Sequence, residues 1–365
     1  MSEVKITNWQ GILFIVSTIV PSALLSLPSI LLKYADKDAW ISIVLTTGIG
    51  MILAFIYSTV FIKNPGLTIF DIIENKLGIF FRMIIGLLLS LYYFLDAISV
   101  LRSFIYFMVD TVMEQTPPVV IGGMGILIAL YAIYHGIEVI SRVNWIIIIV
   151  SFLTFAFSTL FYLKEMDFRQ LLPMFDTSWN KIALGGVPVL SWVAEVAIIL
   201  VLAPYLQHNK DVRKVAVIGI VITGITLTWT LVGMVAVFSA EILPMYHYPT
   251  FSVFRIIEVA NFIERIDALF IAVWMGTMMM KLTIFLFSSL HCFFQTFRIK
   301  QEQPFLFPFG LLVLSFCLNS WKNQSEYALY QHFAGISYSL FFNILIPLCL
   351  FFIGFLKNRK KKVKL

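Results

Sequence analysis

The sequence predicts an all-α integral membrane protein with about ten transmembrane helices, set out as two inverted repeats of five whose first helices are broken. Three observations carry that reading. Of 365 residues, 60% are hydrophobic and 13% charged, about half the charge of an ordinary soluble domain. The apolar residues gather in runs long enough for a bilayer core, which takes about 20 residues of helix. The first and sixth runs are interrupted at matching places, by Pro21 with Pro28 and by Gly185-Gly186-Val187-Pro188.

The runs lie at Gly11–Leu32, Ala39–Ile62, Met83–Met113, Val119–Tyr134, Val143–Tyr162, Ile182–Tyr205, Val215–Phe238, Ala268–Leu290, Leu306–Leu318 and Ile336–Phe355. In the first, each proline removes a backbone donor and crowds the preceding turn. In hydrocarbon the freed groups are tolerated only where protein or a water-filled cavity satisfies them. Paired interruptions in two halves are the mark of a solute site in membrane carriers, although ordinary proline kinks give the same pattern. Five spans is an odd number, so residues 8–163 and 180–356 insert in opposite orientations. Together they make one transmembrane domain with a basic tail at 357–365. This is the LeuT-type layout.

An even span number puts both termini on one side. Placing them in the cytoplasm leaves about twice as much positive charge inside as outside, with the tail Lys357–Lys364 the densest cluster. The net charge of +6 therefore reads as a topology anchor against membrane lipid and not as a nucleic-acid signal.

Charges at membrane depth usually face the protein interior or water. The third run holds Asp96, Arg102 and Asp110. The two aspartates share nearly one face but stand about 21 Å apart along the axis. Tyr92, Tyr93 and Asp96 form a polar patch, with Asp96 or Arg102 pairing to a neighbouring helix, or Asp96 touching a ligand. In the sixth run Pro188, Ser191 and Glu195 share a helical face beside Trp192. Glu195 could hold an amine, share a proton or pair with Lys281.

Between the seventh and eighth runs, residues 249–262 read as a short helix with Pro249 at its first position. Phe251, Phe254, Val259 and Phe262 form its apolar face, and Arg255 with Glu258 an i,i+3 pair. It is either a lid over a cavity or an interfacial helix. In the eighth run Thr277 and Lys281 are i,i+4 partners beside Met278. An ammonium there could replace the sodium ion that LeuT-type sodium-coupled carriers hold between their first and eighth spans.

The candidate ligand-binding set is Ser22, Ala23, Ser26, Tyr92, Tyr93, Asp96, Ser191, Trp192, Glu195, Thr277, Met278 and Lys281. The five histidines are scattered, and the three cysteines lack metal-ligand spacing. With no nucleophile–base pairing and no phosphate-binding glycine loop, no enzyme activity, metal or cofactor is expected.

Several stretches are similar to the B-subunit family of spore germination receptors, within the amino acid–polyamine–organocation superfamily. They are Tyr248–Phe251 with Arg255, Asn261–Phe270, Trp274, Lys281, Gly136–Arg142 and Glu195–Leu206. The resemblance runs over nearly the whole chain. It implies an integral protein of the spore inner membrane, acting with an A-type membrane subunit and a C-type lipoprotein. It further implies a germinant pocket between spans one, three, six, eight and ten. A secondary transporter of amino acids or related solutes is the alternative. One departure stands out: superfamily members carry a Gly-x-Gly-type element in the first span, where bare backbone meets an amino-acid carboxylate. Here Pro21-Ser22-Ala23 occupies that place, and a ring and a methyl group restrict the approach. A nucleoside, a sugar or a larger amino acid stays open.

Overall fold

The computed structural model describes residues 5–256 and 266–354. Among these, regular structure is helical apart from a single bridge between Ile6 and Leu206. The helices are α1 (Asn8–Ala35), α2 (Ala39–Lys63), α3 (Ile69–Leu77), α4 (Ile79–Thr111), α5 (Pro118–Tyr134), α6 (Ile137–Tyr162), α7 (Trp179–Val193), α8 (Ile199–Leu202) and α9 (Val212–Phe238), followed by α10 (Pro249–Ile256), α11 (Ile266–Phe297), α12 (Gln303–Asn319), α13 (Gln324–Tyr330), α14 (Ile336–Leu340) and α15 (Ile346–Gly354).

Seven stretches of the described residues are long and apolar enough to cross a membrane. The first of them, Asn8–Lys63, contains both α1 and α2, which meet at the turn Asp36–Asp38. The 17-residue helices α5 and α12 are shorter apolar elements.

Helix starts follow local chemistry. At α1 the Thr7 side chain accepts from the Gln10 amide, and the Gln10 side chain returns to Thr7, satisfying donors that a helix start leaves bare. Gly136, at φ 85°, admits the chain into α6 through a conformation that a side chain would strain.

Helices α1, α2, α7 and α9 pack together on one side, and α4 packs along α11 on the other. Lipid tails supply no hydrophobic drive between helices, so close approach matters. Gly219 of α9 provides it against α1: a Cβ there would lie 2.9 Å from the Ile15 Cβ.

Three expectations are corrected. The first span is not unwound: α1 continues through both Pro21 and Pro28. In the sixth span, α7 continues through Gly185-Gly186-Val187-Pro188, and the helix changes to 3₁₀ only at Ala194–Ile198, which holds Glu195. The tenth span starts at Gln324, twelve residues before the expected Ile336, and passes through π-turns at Gln331–Gly335 and Phe341–Leu345.

Helix α10 begins at Pro249 as expected. Phe251 and Phe254 are buried against Phe270 of α11, with ring centroids 6.1 and 4.5 Å away. Its described part is thus packed onto α1, α9 and α11 and does not lie free at the surface. Glu258, Val259, Phe262, the rest of the Asn261–Arg265 string and the basic tail lie outside the described residues.

Candidate functional site

A cavity of about 340 Å³ opens between α1, α4, α7, α11 and the α13–α14 segment. Helix α1 contributes Ser22, Ser26 and Ser29, each three or four residues from the next and so on one face. Helix α4 contributes Asp96, Ser99 and Tyr106. The sixth span contributes Ser191, Trp192 and Glu195, and α11 contributes Lys281 and Phe285.

The Lys281 ammonium donates to both Glu195 carboxylate oxygens, at 3.1 and 2.9 Å. Glu195 is 7% exposed and Lys281 1%. Among the described residues these are the hydrogen bonds that Lys281 makes, so its charge goes to the sixth span and not to the backbone of α1. That corrects the idea of an ammonium filling a sodium site between the first and eighth spans. Removing two charges from water costs nearly as much as their attraction returns, but stranding either one is expensive. Among the described residues no cation bonds directly to Asp96, although the Lys281 charge acts on it through space. Its Oδ2 is shielded from solvent and without a hydrogen-bond partner among the described residues.

Other candidates stand elsewhere. Ala23 and Met278 are fully buried, turned away from the cavity. Tyr92 lies behind the wall, where its hydroxyl accepts from Asn343 Nδ2 at 2.6 Å and its carbonyl from Tyr338 at 2.6 Å. Tyr93 packs against Phe285, centroids 5.9 Å apart. Thr277 donates to the Trp274 carbonyl at 2.8 Å and lines a separate apolar cavity of about 70 Å³ beside Val20, Pro21 and Leu24. Arg102 donates to the Tyr106 hydroxyl and the Trp321 carbonyl, both at 2.8 Å, so it ties α4 to the segment before α13. Asp110 is exposed and accepts from Tyr248 at 3.2 Å.

One proline of α1 is answered by a distant side chain, and a second contact reaches the helix nearby. Pro28 leaves the Leu24 carbonyl without its helical donor, and the Thr250 hydroxyl of α10 donates to it. The Trp274 indole of α11 donates to the Pro21 carbonyl at 3.1 Å.

Sequence reasoning missed the wall made by Gln324, Tyr327, Tyr330 and Gln331. A signal was present: the Asn323 side chain accepts from the Glu326 amide at 2.9 Å, an ordinary helix N-cap in a stretch taken for loop. At the cavity mouth Gln324 bonds to His247 and donates to the Tyr248 hydroxyl at 3.0 Å.

The Ile6 amide donates to the Tyr205 carbonyl at 2.8 Å, and the Tyr205 hydroxyl meets His291 Nδ1 at 3.0 Å. Glu74 of α3 bonds to Arg82 and Arg298. Burial works to raise its pKa, but the hydrogen bonds and charges of the two arginines together hold it below the ordinary carboxylate value.

Comparison with known proteins agrees with this architecture. The family described as spore germination protein matches residues 5–326. Spore germination protein KB of Bacillus subtilis (strain 168) is 24% identical, over 99% of this chain and 98% of its own. Spore germination protein A2 of the same organism is 25% identical, over 98% of each. Among solved structures, a Na+-coupled sialic acid symporter in a substrate-bound outward-open state superimposes with a TM-score of 0.66 at 14% identity, covering 96% of this chain and 78% of that one. MhsT in complex with L-phenylalanine gives 0.64 at 12%, covering 97% and 89%. The fold is that of the LeuT-type transporters, and neither kinship is to an enzyme family.

Proposed function

The chain belongs to the spore germination protein family, and on that premise we propose that it is the germinant-sensing subunit of a spore germination receptor. The observation that supports this most directly is the cavity of about 340 Å³ set around the buried Glu195–Lys281 pair. A small solute enters from the Tyr248 end, which the charge distribution puts outside, with both termini cytoplasmic. It contacts Ser22 and Ser26 of α1 together with Ser191 and Trp192 of the sixth span. Because those helices belong to different repeats, a solute that fits one arrangement better than another shifts the population between them. An A-type membrane subunit and a C-type lipoprotein receive that shift in the spore inner membrane. The test is germination of a strain lacking this chain across amino acids, nucleosides and sugars. Loss of response to one class supports the proposal, and an unaltered profile refutes it. The fold shared with symporters favours a second reading, a working transporter of amino acids or related solutes. Uptake of labelled solute into vesicles carrying the full chain selects that reading.

A further inference from the structure

We propose that the solute of this cavity offers hydrogen-bond donors, hydroxyl or ammonium, and carries no carboxylate. The inference rests on the sensor reading above and names the ligand chemistry of the same site.

A carboxylate taken out of water needs a cation or several bare N–H groups. The cavity supplies neither at depth. Helix α1 is continuous from Asn8 to Ala35, so the amides of Ser22 to Ser26 are spent inside the helix. Lys281 is buried, and its charge is matched by the Glu195 carboxylate, which takes both of its bonds. The other wall cation, Lys33, is exposed and stands about 10 Å along α1 from Ser26, in water.

What the cavity does present is carboxylates and hydroxyls. Asp96 lines it near Glu195, and the two carboxylates share the ammonium of Lys281. A third carboxylate brought beside them would add an anion that this one ammonium does not match, whereas a hydroxyl or ammonium donates to the Asp96 carboxylate. The Ser22 and Ser26 hydroxyls, with no partner among the described residues, line the same space. Tyr327 adds an aromatic wall next to Tyr106, centroids 5.6 Å apart. Its face accepts a cation or the C–H side of a sugar ring.

The full-length chain in detergent is tested by ligand-dependent thermal shift. The probes are L-leucine and L-alanine, their decarboxylated amines isopentylamine and ethylamine, and the polyols glucose, myo-inositol and inosine. The expected result is half-saturation by at least one amine or polyol at a concentration at least tenfold below that of either amino acid. Asp96→Asn then weakens that ligand at least tenfold, and Asp96→Glu restores part of the loss. If Asp96→Asn does not fold, Ser26→Ala, expected to weaken the same ligand, takes its place. The amine and polyol arms tell the two donor sources apart. Tighter binding of the amino acids, unaffected by Asp96→Asn, overturns this inference and leaves the sensor reading standing. No shift with any probe, together with an unaltered germination profile in the deletion strain, overturns both.

Discussion

Replacing Lys281 by methionine keeps the length and apolar stem of the side chain but strands the Glu195 carboxylate where it is 7% exposed. At the 2.9 Å contact distance, Coulomb attraction at an effective dielectric of 20 is about 6 kcal/mol. Desolvation of the two ions returns most of that, several kcal/mol for each. The pair is therefore worth little in net stability, while either single substitution costs about 3–5 kcal/mol. The double variant Glu195→Gln/Lys281→Met removes both charges and is expected within about 1 kcal/mol of the parent, an interaction energy of several kcal/mol in a double-mutant cycle. Reversible unfolding of the full chain in detergent measures all four corners. Single variants that lose less than 1 kcal/mol, or effects that simply add, would refute the buried pair as described here.

Thr250→Val keeps the shape of the side chain but deprives the Leu24 carbonyl of the donor that stands in for the amide missing at Pro28. The same unfolding measurement should show a loss of about 1–2 kcal/mol, and no change would mean that the carbonyl finds another partner. Gly219→Ala sets a methyl 2.9 Å from the Ile15 Cβ, whereas a Cβ at Gly123 meets nothing within 4 Å. The first should cost about 1–3 kcal/mol and the second less than about 1, with equal losses counting against close α1–α9 packing. Because the folded-state pKa of Glu74 is lowered, its contribution is full above the unfolded carboxylate pKa of about 4.3. It is lost as pH falls through the lower folded value. Glu74→Gln should flatten stability against pH across that acid window, and an unchanged profile would show that the arginines do not act on it.

Composition and run length were enough for the membrane class and the helical fold, because a bilayer admits no other long apolar element here. Glu195 and Lys281 were legible as the charges to watch, since both stand at depth. Their pairing was one of three options, and only the packing of α11 against the sixth span selected it. Rotation was less legible. Ser22, Ser26 and Ser29 mark one face of α1 by their spacing, but Ala23 was set with Ser22 by adjacency along the chain, and it is buried away from that face. Thr277, set with Lys281 by i,i+4 spacing, lines the small apolar cavity instead. The start of α13 was written locally in Asn323 and Glu326, but a polar stretch between two apolar runs hid it.

The prolines draw the boundary most clearly. The sequence alone determined that Pro28 withholds a hydrogen bond from the Leu24 carbonyl, because the missing N–H is covalent. Whether the helix then unwinds or holds was decided by a hydroxyl 226 residues away. Only the folded chain brings that donor to the carbonyl, so the continuity of α1 is a property of the tertiary structure.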